Sequence, residues 1–582
     1  MKKHYKNLLN ISFISLLILM PIILLFPLIH TGTLSYKLDT WFHLMRIYEM
    51  RQSILSGSLL GTLGNIYTFG GAGQIINGMY PSLVLRVLVA ITSWLSPIMQ
   101  VYAIILLILI VSSLSNYFVF KSLKFKEIDA FLASIVMTYS LEVFVLLQDG
   151  SFGLGIALSI VPWLFWGLLN IRGNNLRQRR NASVTIGIII GLFFLSHIIS
   201  AFFGILMVIC TAILDLINKK YNFIEYIISG ITSIIIGLPT LIITLVFGKE
   251  SLSVSSFGRS PKSIFETFLP LFKANSGTAY FGWTAFTCLA AFYVLVTFLK
   301  HKEWSSLKTI ALITILFGTD LGYVKLFDFM QFPERFWIFG MLLCVFILIL
   351  EQFPGNNTLK WIICLLAFIP ALNTATNYYR NLSEQPLWQE TDLEYHRYTS
   401  KLNNKSYDYE KFYSFRTYVD YLPKEQEKYK LPDPKGMWSS KEMNDANYAH
   451  SVRKSNFKID EIKTNKKQKV IPFNPIKNQQ AHKNTMSMTI HINNNGTYDL
   501  PFWFYKSIPY NVQVNNSEVK AKASSQGRLS LFLRKGTSHV KITQSMPFYL
   551  VITYAISGLA IIGTLLYLFL RKRRKVHMSY EP

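Results

Sequence analysis

Stretches of about 20 almost uncharged, apolar residues recur along this chain, and that is the length an α-helix needs to cross the hydrocarbon of a bilayer. Residues 8–30, 98–120, 128–147, 152–169, 182–196, 198–216, 223–247, 280–299, 309–321, 336–350, 361–373 and 548–570 qualify. That makes about twelve, some short enough to be tilted or re-entrant. In lipid each such segment must satisfy its own backbone, so the fold class is a mostly α, polytopic membrane protein. Composition agrees, with 51% hydrophobic and only 15% charged residues. A soluble domain carries about 25% charged residues. The first segment is too long for a signal-peptide core and lacks a small-x-small cleavage site, so it is expected to remain as a helix.

The formal charge of +26 does not point to nucleic acid, because the basic residues recur at the ends of apolar segments. That placement sets topology and meets anionic lipid headgroups. With the N-terminus inside, the basic clusters at 121–126, 172–180, 219–220, 300–308, 360 and 571–575 all fall on the cytoplasmic face. The outside then receives the Asp39 loop, residues 148–150, 248–278 and 327–335, and the polar stretch 376–547. Both termini are expected to be cytoplasmic. Cys210, Cys288, Cys344 and Cys364 all lie in apolar segments, so neither a disulfide framework nor a cysteine metal site is expected. An external region without cysteine suits the plasma membrane of a Gram-positive bacterium.

The expected domains are a multi-helix transmembrane part over 1–375, an extracellular α/β region over 376–547, a last span over 548–570 and a basic tail over 571–582. The first external loop, 31–97, is long. Residues 39–60 read as a helix lying in the interface, with Trp41, Leu44, Ile47 and Tyr48 on one face and Arg46, Glu49 and Arg51 opposite. The glycine-rich run 61–78 is expected to line a wet cavity, because irregular backbone is not exposed to lipid. Residues 424–469 are charged and poor in branched apolar residues, a composition of irregular chain. From 486 the pattern alternates, and Asn-Gly, Asn-Asn and Lys-Gly turns punctuate short runs at 500–505, 510–514, 519–523, 528–533 and 539–543. This predicts a small antiparallel β-sandwich held at the membrane surface.

The candidate chemistry gathers on the outer side. Asp39 and His43 are four residues apart, hence on one helical face. A carboxylate there serves as a base for a sugar hydroxyl or as a divalent-metal ligand, or simply as a helix cap. Asp149, in Gln-Asp-Gly-Ser, is either a turn residue or a second carboxylate. His197 stands at the junction of two spans, where it can bond a polar ligand or merely pack. Arg335 opens an apolar segment after Gln331-Phe332-Pro333-Glu334, with Glu334 placed to orient it. A guanidinium fork matches phosphate oxygens, although an Arg at a membrane edge also snorkels. No Walker loop, nucleophile elbow or zinc-ligand spacing is present.

Several short motifs carry a family resemblance. They are Asp39-x-x-Phe42-His43-Leu44-x-Arg46, Met79-Tyr80-Pro81, Leu195-Ser196-His197, Gln331-Phe332-Pro333-x-Arg335-Phe336 and Asp420-Tyr421-Leu422-Pro423, followed by the terminal β-region. In order and topology the chain resembles, over nearly its whole length, the bacterial pyruvoyl-tetrahydropterin-synthase-related membrane proteins, distant relatives of the YfhO-type proteins. No soluble metal-histidine site supports pterin chemistry. That family is in turn similar to the GT-C glycosyltransferases. The resemblance implies transfer of a sugar from a polyprenyl-phosphate carrier to a cell-surface polymer or glycan, with Asp39 as the catalytic carboxylate, Arg335 as the carrier-phosphate ligand and His43 and His197 as substrate-binding. Beside these, the residues themselves add Asp149 as a second catalytic carboxylate and Arg46, Tyr80 and Glu334 to the expected substrate-binding set. Glu334 departs from the pattern, in which an aromatic is common. A divalent cation, magnesium or manganese, stays open. The competing classes are a transporter or flippase for a lipid-linked intermediate, and a non-catalytic envelope scaffold.

Overall fold

The computed structural model describes residues 2–36, 40–148, 150–219, 223–250, 252, 284–301, 306–319, 335–354, 357–387, 400–407, 421, 423, 469–470, 476–524 and 527–577. Among them are ten helical segments long and apolar enough to cross a membrane, and we describe the chain as a multi-pass membrane protein. They are α1 (Lys2–His30), α4 (Pro97–Ser122), the pair α5 (Glu127–Tyr139) and α6 (Glu142–Leu147), α7 (Phe152–Asn170), α8 (Leu176–Ser196), α9 (Ile198–Ile217), α10 (Phe223–Gly248), α13 (Arg335–Gln352), α14 (Asn357–Glu384) and α15 (Phe548–His577). The segments expected at 280–299 and 309–321 form α11 (Ala285–His301) and α12 (Ser306–Phe317). At 17 and 12 residues these are apolar but shorter than a single straight crossing. Outward-facing Ile23, Phe26, Leu245, Leu365 and Leu559 leave an apolar rim suited to lipid.

Ion pairs tie the helix ends together on the basic face. Arg172 after α7 meets Asp215 on α9 at 2.5 Å, and Arg179 on α8 meets Glu225 on α10 at 3.1 Å. Lys360 on α14 meets Asp129 on α5 at 2.5 Å, and Lys308 on α12 meets Glu351 on α13 at 2.8 Å. Lys121 and Glu127 close the turn between α4 and α5 at 2.9 Å. The start of α1 reaches the same end, where Tyr117 donates to Asn10 Oδ1. Lys121, Arg172, Arg179, Lys308 and Lys360, described members of the basic groups in the sequence, therefore lie at one end of the bundle.

At the opposite end residues 40–96 carry α2 (Thr40–Leu55) and α3 (Leu83–Thr92), with a one-turn helix at Ile76–Met79 between them. Here the interfacial reading of 39–60 is corrected. Arg46 and Glu49 are buried, whereas Trp41 and Tyr48 are only half-buried. The supposed solvent face is covered by the loop that follows it in sequence. The exposed apolar residues here are Leu55, Leu59 and Leu60 at and after the end of α2, and Val87, Ile91 and Trp94 on and just after α3.

The C-terminal region has a five-stranded antiparallel sheet in the order β4 (Ile476–His482), β5 (Thr485–Ile492), β11 (Gly536–Gln544), β7 (Tyr510–Val514), β8 (Ser517–Glu518). The second sheet runs β3 (Lys469–Val470), β6 (Gly496–Trp503), β10 (Arg528–Leu533), β9 (Lys522–Ala523), with β3 parallel to β6. Met486, Met488, Ile490 and Ile492 alternate inward from β5, opposite Leu500 and Phe502 of β6 and Leu529, Leu531 and Leu533 of β10. The two sheets thus share one core. Asn515 and Asn516 take φ of 52° and 66°, the left-handed pair that a two-residue hairpin demands. Strand β4 was not expected; its Asn and Gln residues hide the alternation. Of the short strands β1 (Leu34–Tyr36) and β2 (Ser400–Leu402), the first leaves α1 and the second pairs with it from the far side of the chain.

The glycine-rich run supports this β-region rather than lining a cavity, a second correction. The ideal Cβ of Gly73 would fall 2.4 Å from the Phe502 ring, and that of Gly64 2.3 Å from the Gly73 carbonyl. Trp503 N–H donates to Ala72 O at 2.7 Å, and Gly64 N–H to Gln544 Oε1 at 3.0 Å. Glycine is used here because the sheet approaches the loop backbone closely.

Candidate functional site

Site geometry begins on α2. Arg46 Nε donates to Asn77 Oδ1 at 3.1 Å, and Nη2 donates to the carbonyls of Pro81 at 3.0 Å and Tyr80 at 3.4 Å. Its Cζ lies 4.2 Å above the Tyr80 ring. Arg46 therefore pins the Met79-Tyr80-Pro81 turn to α2, and burial pulls its guanidinium down to about 10. His43 sits one turn earlier, with Nδ1 3.5 Å from Arg46 Nη1 and rings of Phe42, Tyr80 and Phe152 around it. Burial first, then the charges of Arg46 and His197, hold His43 well below the usual imidazole range. It is neutral at physiological pH.

Three other chain segments come to this end of the bundle. Gly150, at φ +63°, presses on the first residue of α2, so that its Cβ would lie 3.1 Å from Thr40 Oγ1. Gly153 of α7 abuts the break between α8 and α9, its Cβ position 2.6 Å from Ser196 O and 3.6 Å from His197 Cβ. His197 has extended backbone, φ −157°, ψ 101°, which separates the two helices, and its Nδ1 is paired with Ser200 Oγ at 2.8 Å. The first turn of α13 packs on α9 through Phe336, 4.7 Å from Phe203. That brings Arg335, half-buried, to the same rim. Burial and then the Arg335 and Arg46 charges push His197 down to about 3.

Of the residues expected from sequence, His43, Arg46, Tyr80, His197 and Arg335 thus gather at one end of the bundle, opposite the basic loops. Asp39, Asp149 and Glu334 lie outside the described residues. Their neighbours Thr40 and Gly150 are in contact, and Arg335 follows Glu334 directly. Sequence reasoning missed Asn77, Phe152 and Ser200. Only Ser200 carried a local signal, three residues after His197 on a helix start. Among the described residues, no group of three or more His, Cys, Asp or Glu side chains is placed to hold a metal ion.

Chemically, the arrangement offers two neutral imidazoles as hydrogen-bond partners and two guanidiniums of unequal character. Arg46 spends its donors on Asn77 and backbone, so it orders the site. Arg335 is half-buried and stands at the start of α13. No known family's model matches the chain, and no curated protein matches it. What fold and site define is the class: a multi-pass membrane protein with a β-region seated at one end of its bundle.

Proposed function

We propose that this protein is a GT-C-like membrane glycosyltransferase that moves a sugar from a polyprenyl-phosphate carrier to a cell-surface polymer or glycan on the outer face. The observation that carries the reading is the convergence of four chain-distant motifs at the bundle end away from the basic loops. The carrier is amphipathic: its tail lies among spans and its phosphate reaches the rim. Because the leaving group is already a phosphate, catalysis needs a base for the acceptor hydroxyl and positive charge for the departing oxygen. Asp39 takes the first role, with Asp149 as the second carboxylate, and Arg335 takes the second role beside Glu334. His43 and His197 hydrogen-bond the headgroup, while Arg46 and Tyr80 position α2. A divalent cation at the carboxylates remains compatible with this scheme. The protein sits in a bacterial plasma membrane, of the Gram-positive type, with both termini cytoplasmic and the β-region extracellular.

The test is complementation of a deletion strain, read as sugar content of the purified envelope polymer. Asp39→Asn is expected to leave it at the deletion level while the protein accumulates normally, a loss of about 100-fold or more in transfer. Arg335→Ala is expected to lower transfer about 10- to 100-fold. Normal decoration by Asp39→Asn sinks the proposal, and so does a deletion strain whose polymer is unchanged.

A flippase or transporter reading draws support from one feature, the break at Ser140–Leu141 within a span that holds the buried carboxyl of Glu142. It predicts accumulation of the lipid-linked sugar in the inner leaflet of the deletion strain.

A further inference from the structure

A cluster of polar side chains lies inside the bundle, on elements that the outer site does not use. Helix α5 stops at Tyr139 and α6 starts at Glu142, and Glu142 is only 3% exposed. Its Oε1 is fully enclosed and has no hydrogen-bond partner among the described residues. On the facing α4, Asn116 donates through Nδ2 to Ser112 Oγ at 3.4 Å and to Thr138 Oγ1 at 3.2 Å. Those bonds fix the amide, and Asn116 Oδ1 is likewise enclosed without a donor. Asn116 and Glu142 line the same cavity, closed by Met137, Leu141, Leu158, Pro162 and Leu342.

Ser112 hydrogen-bonds the Glu142 carboxyl, yet Glu142 Oε1 and Asn116 Oδ1, two acceptor oxygens on one apolar void, are left without a donor. No basic side chain lines it, and it is too narrow for a water molecule to bridge the pair. Leaving both oxygens bare in this environment is strongly unfavourable. A single proton on the carboxyl relieves both, since the acid then donates to the amide oxygen. The groups facing Glu142 are the Ser112 and Asn116 side chains from α4, Tyr139 one turn back, the apolar Leu158 and Pro162 of α7, and Leu342 of α13. Tyr139 is the one titratable neighbour among the described residues, and its hydroxyl meets Ser113.

We propose that Glu142 holds a proton, shared with Asn116 Oδ1, and that this pair is an intramembrane proton-binding site at the α5–α6 break. A broken helix supplies the local freedom a proton needs to enter and leave, because its end groups are not locked in the helix ladder. Along α7 the site lies roughly 10–15 Å below Phe152, at 1.5 Å per residue. The inference is independent of the transferase reading, and it holds for a transporter equally.

Infrared difference spectra of the purified full-length protein in lipid nanodiscs at neutral pH provide the test. Wild type is expected to show the C=O band of a neutral carboxylic acid, shifted in D2O and lost in Glu142→Gln. Asn116→Leu is expected to keep that band at higher frequency, because the acid has lost its acceptor. Superimposable wild-type and Glu142→Gln spectra overturn the proposal. So does a band that disappears when sodium chloride replaces choline chloride, which makes the ligand a sodium ion. Should Glu142→Gln fail to accumulate, the Asn116→Leu shift decides alone, and its absence rejects the pair.

Discussion

At the residue scale, Glu49 does most to shape the outer end of the molecule. Its carboxylate accepts from the backbone N–H groups of Ile66 at 2.9 Å, Tyr67 at 2.9 Å and Thr68 at 2.8 Å, and from Thr68 Oγ1 at 2.8 Å. Burial outweighs those bonds and pushes the group up to about 7, from 4.5. The folded chain then keeps a proton that the unfolded chain releases between those values. Stability therefore falls as pH rises from about 4.5 to about 7, and is level above. The difference is roughly 3 kcal/mol at most. Melting temperature in detergent should be lower at pH 8 than at pH 5, and Glu49→Gln should shrink that gap. An unchanged gap in the variant means another group is responsible. Glu49→Ala leaves four donors without an acceptor and should cost several kcal/mol at any pH. None of this was legible in the sequence, where Arg46 and Glu49 looked like the wet face of an amphipathic helix. Their partners arrive 17 to 35 residues later, and helical periodicity says nothing about such contacts.

At the element scale, the spans and the inner strands were legible because each carries its own period. Met486, Met488, Ile490 and Ile492 mark β5 unaided, and the apolar segments mark the bundle. The glycine run was misread for a related reason: composition says that a backbone is approached closely, but not by what. The structure supplies the answer in Phe502 and Gln544. Gly73→Ala, at φ +70° and with Cβ 2.4 Å from the Phe502 ring, should push the sheets off their platform. The expected cost is about 2–4 kcal/mol, combining overpacking with left-handed strain. Gly536→Ala, at φ +112° but with open space around it, should cost only about 1 kcal/mol. Thermal melting checks the pair. Equal losses reject close packing as the reason for glycine at position 73. The outer site was legible as separate motifs, and its assembly was not. What joins them are Gly150 on Thr40, Gly153 on Ser196 and Phe336 on Phe203, contacts between elements that no local pattern announces.

At the scale of the whole molecule, charge and geometry agree on two unlike ends. Arg172, Arg179, Lys308 and Lys360 are joined to acids of other helices at one end, and the β-region rests on the glycine-rich platform at the other. By the positive-inside rule the end richer in Lys and Arg would face the cytoplasm, which is the arrangement proposed above. Single cysteines read the assignment directly. Asn174, exposed between α7 and α8, marks the basic end, and Ser517, exposed at the start of β8, marks the other. Cys344 and Cys364 are buried, and Cys210 and Cys288 half-buried in apolar helices, so replacing all four with Ala gives a quiet background. A membrane-impermeant maleimide should label Ser517→Cys on intact cells and Asn174→Cys only after permeabilisation. The reverse pattern would place the convergent His43, Arg46, His197 and Arg335 site in the cytoplasm. A carrier-linked sugar would then have to be met on the inner leaflet, and the polymer outside the cell could not be its acceptor. Equal labelling of both cysteines on intact cells would put the two positions on one side of the bilayer, so that an even number of segments crosses between them and the two-ended assignment fails.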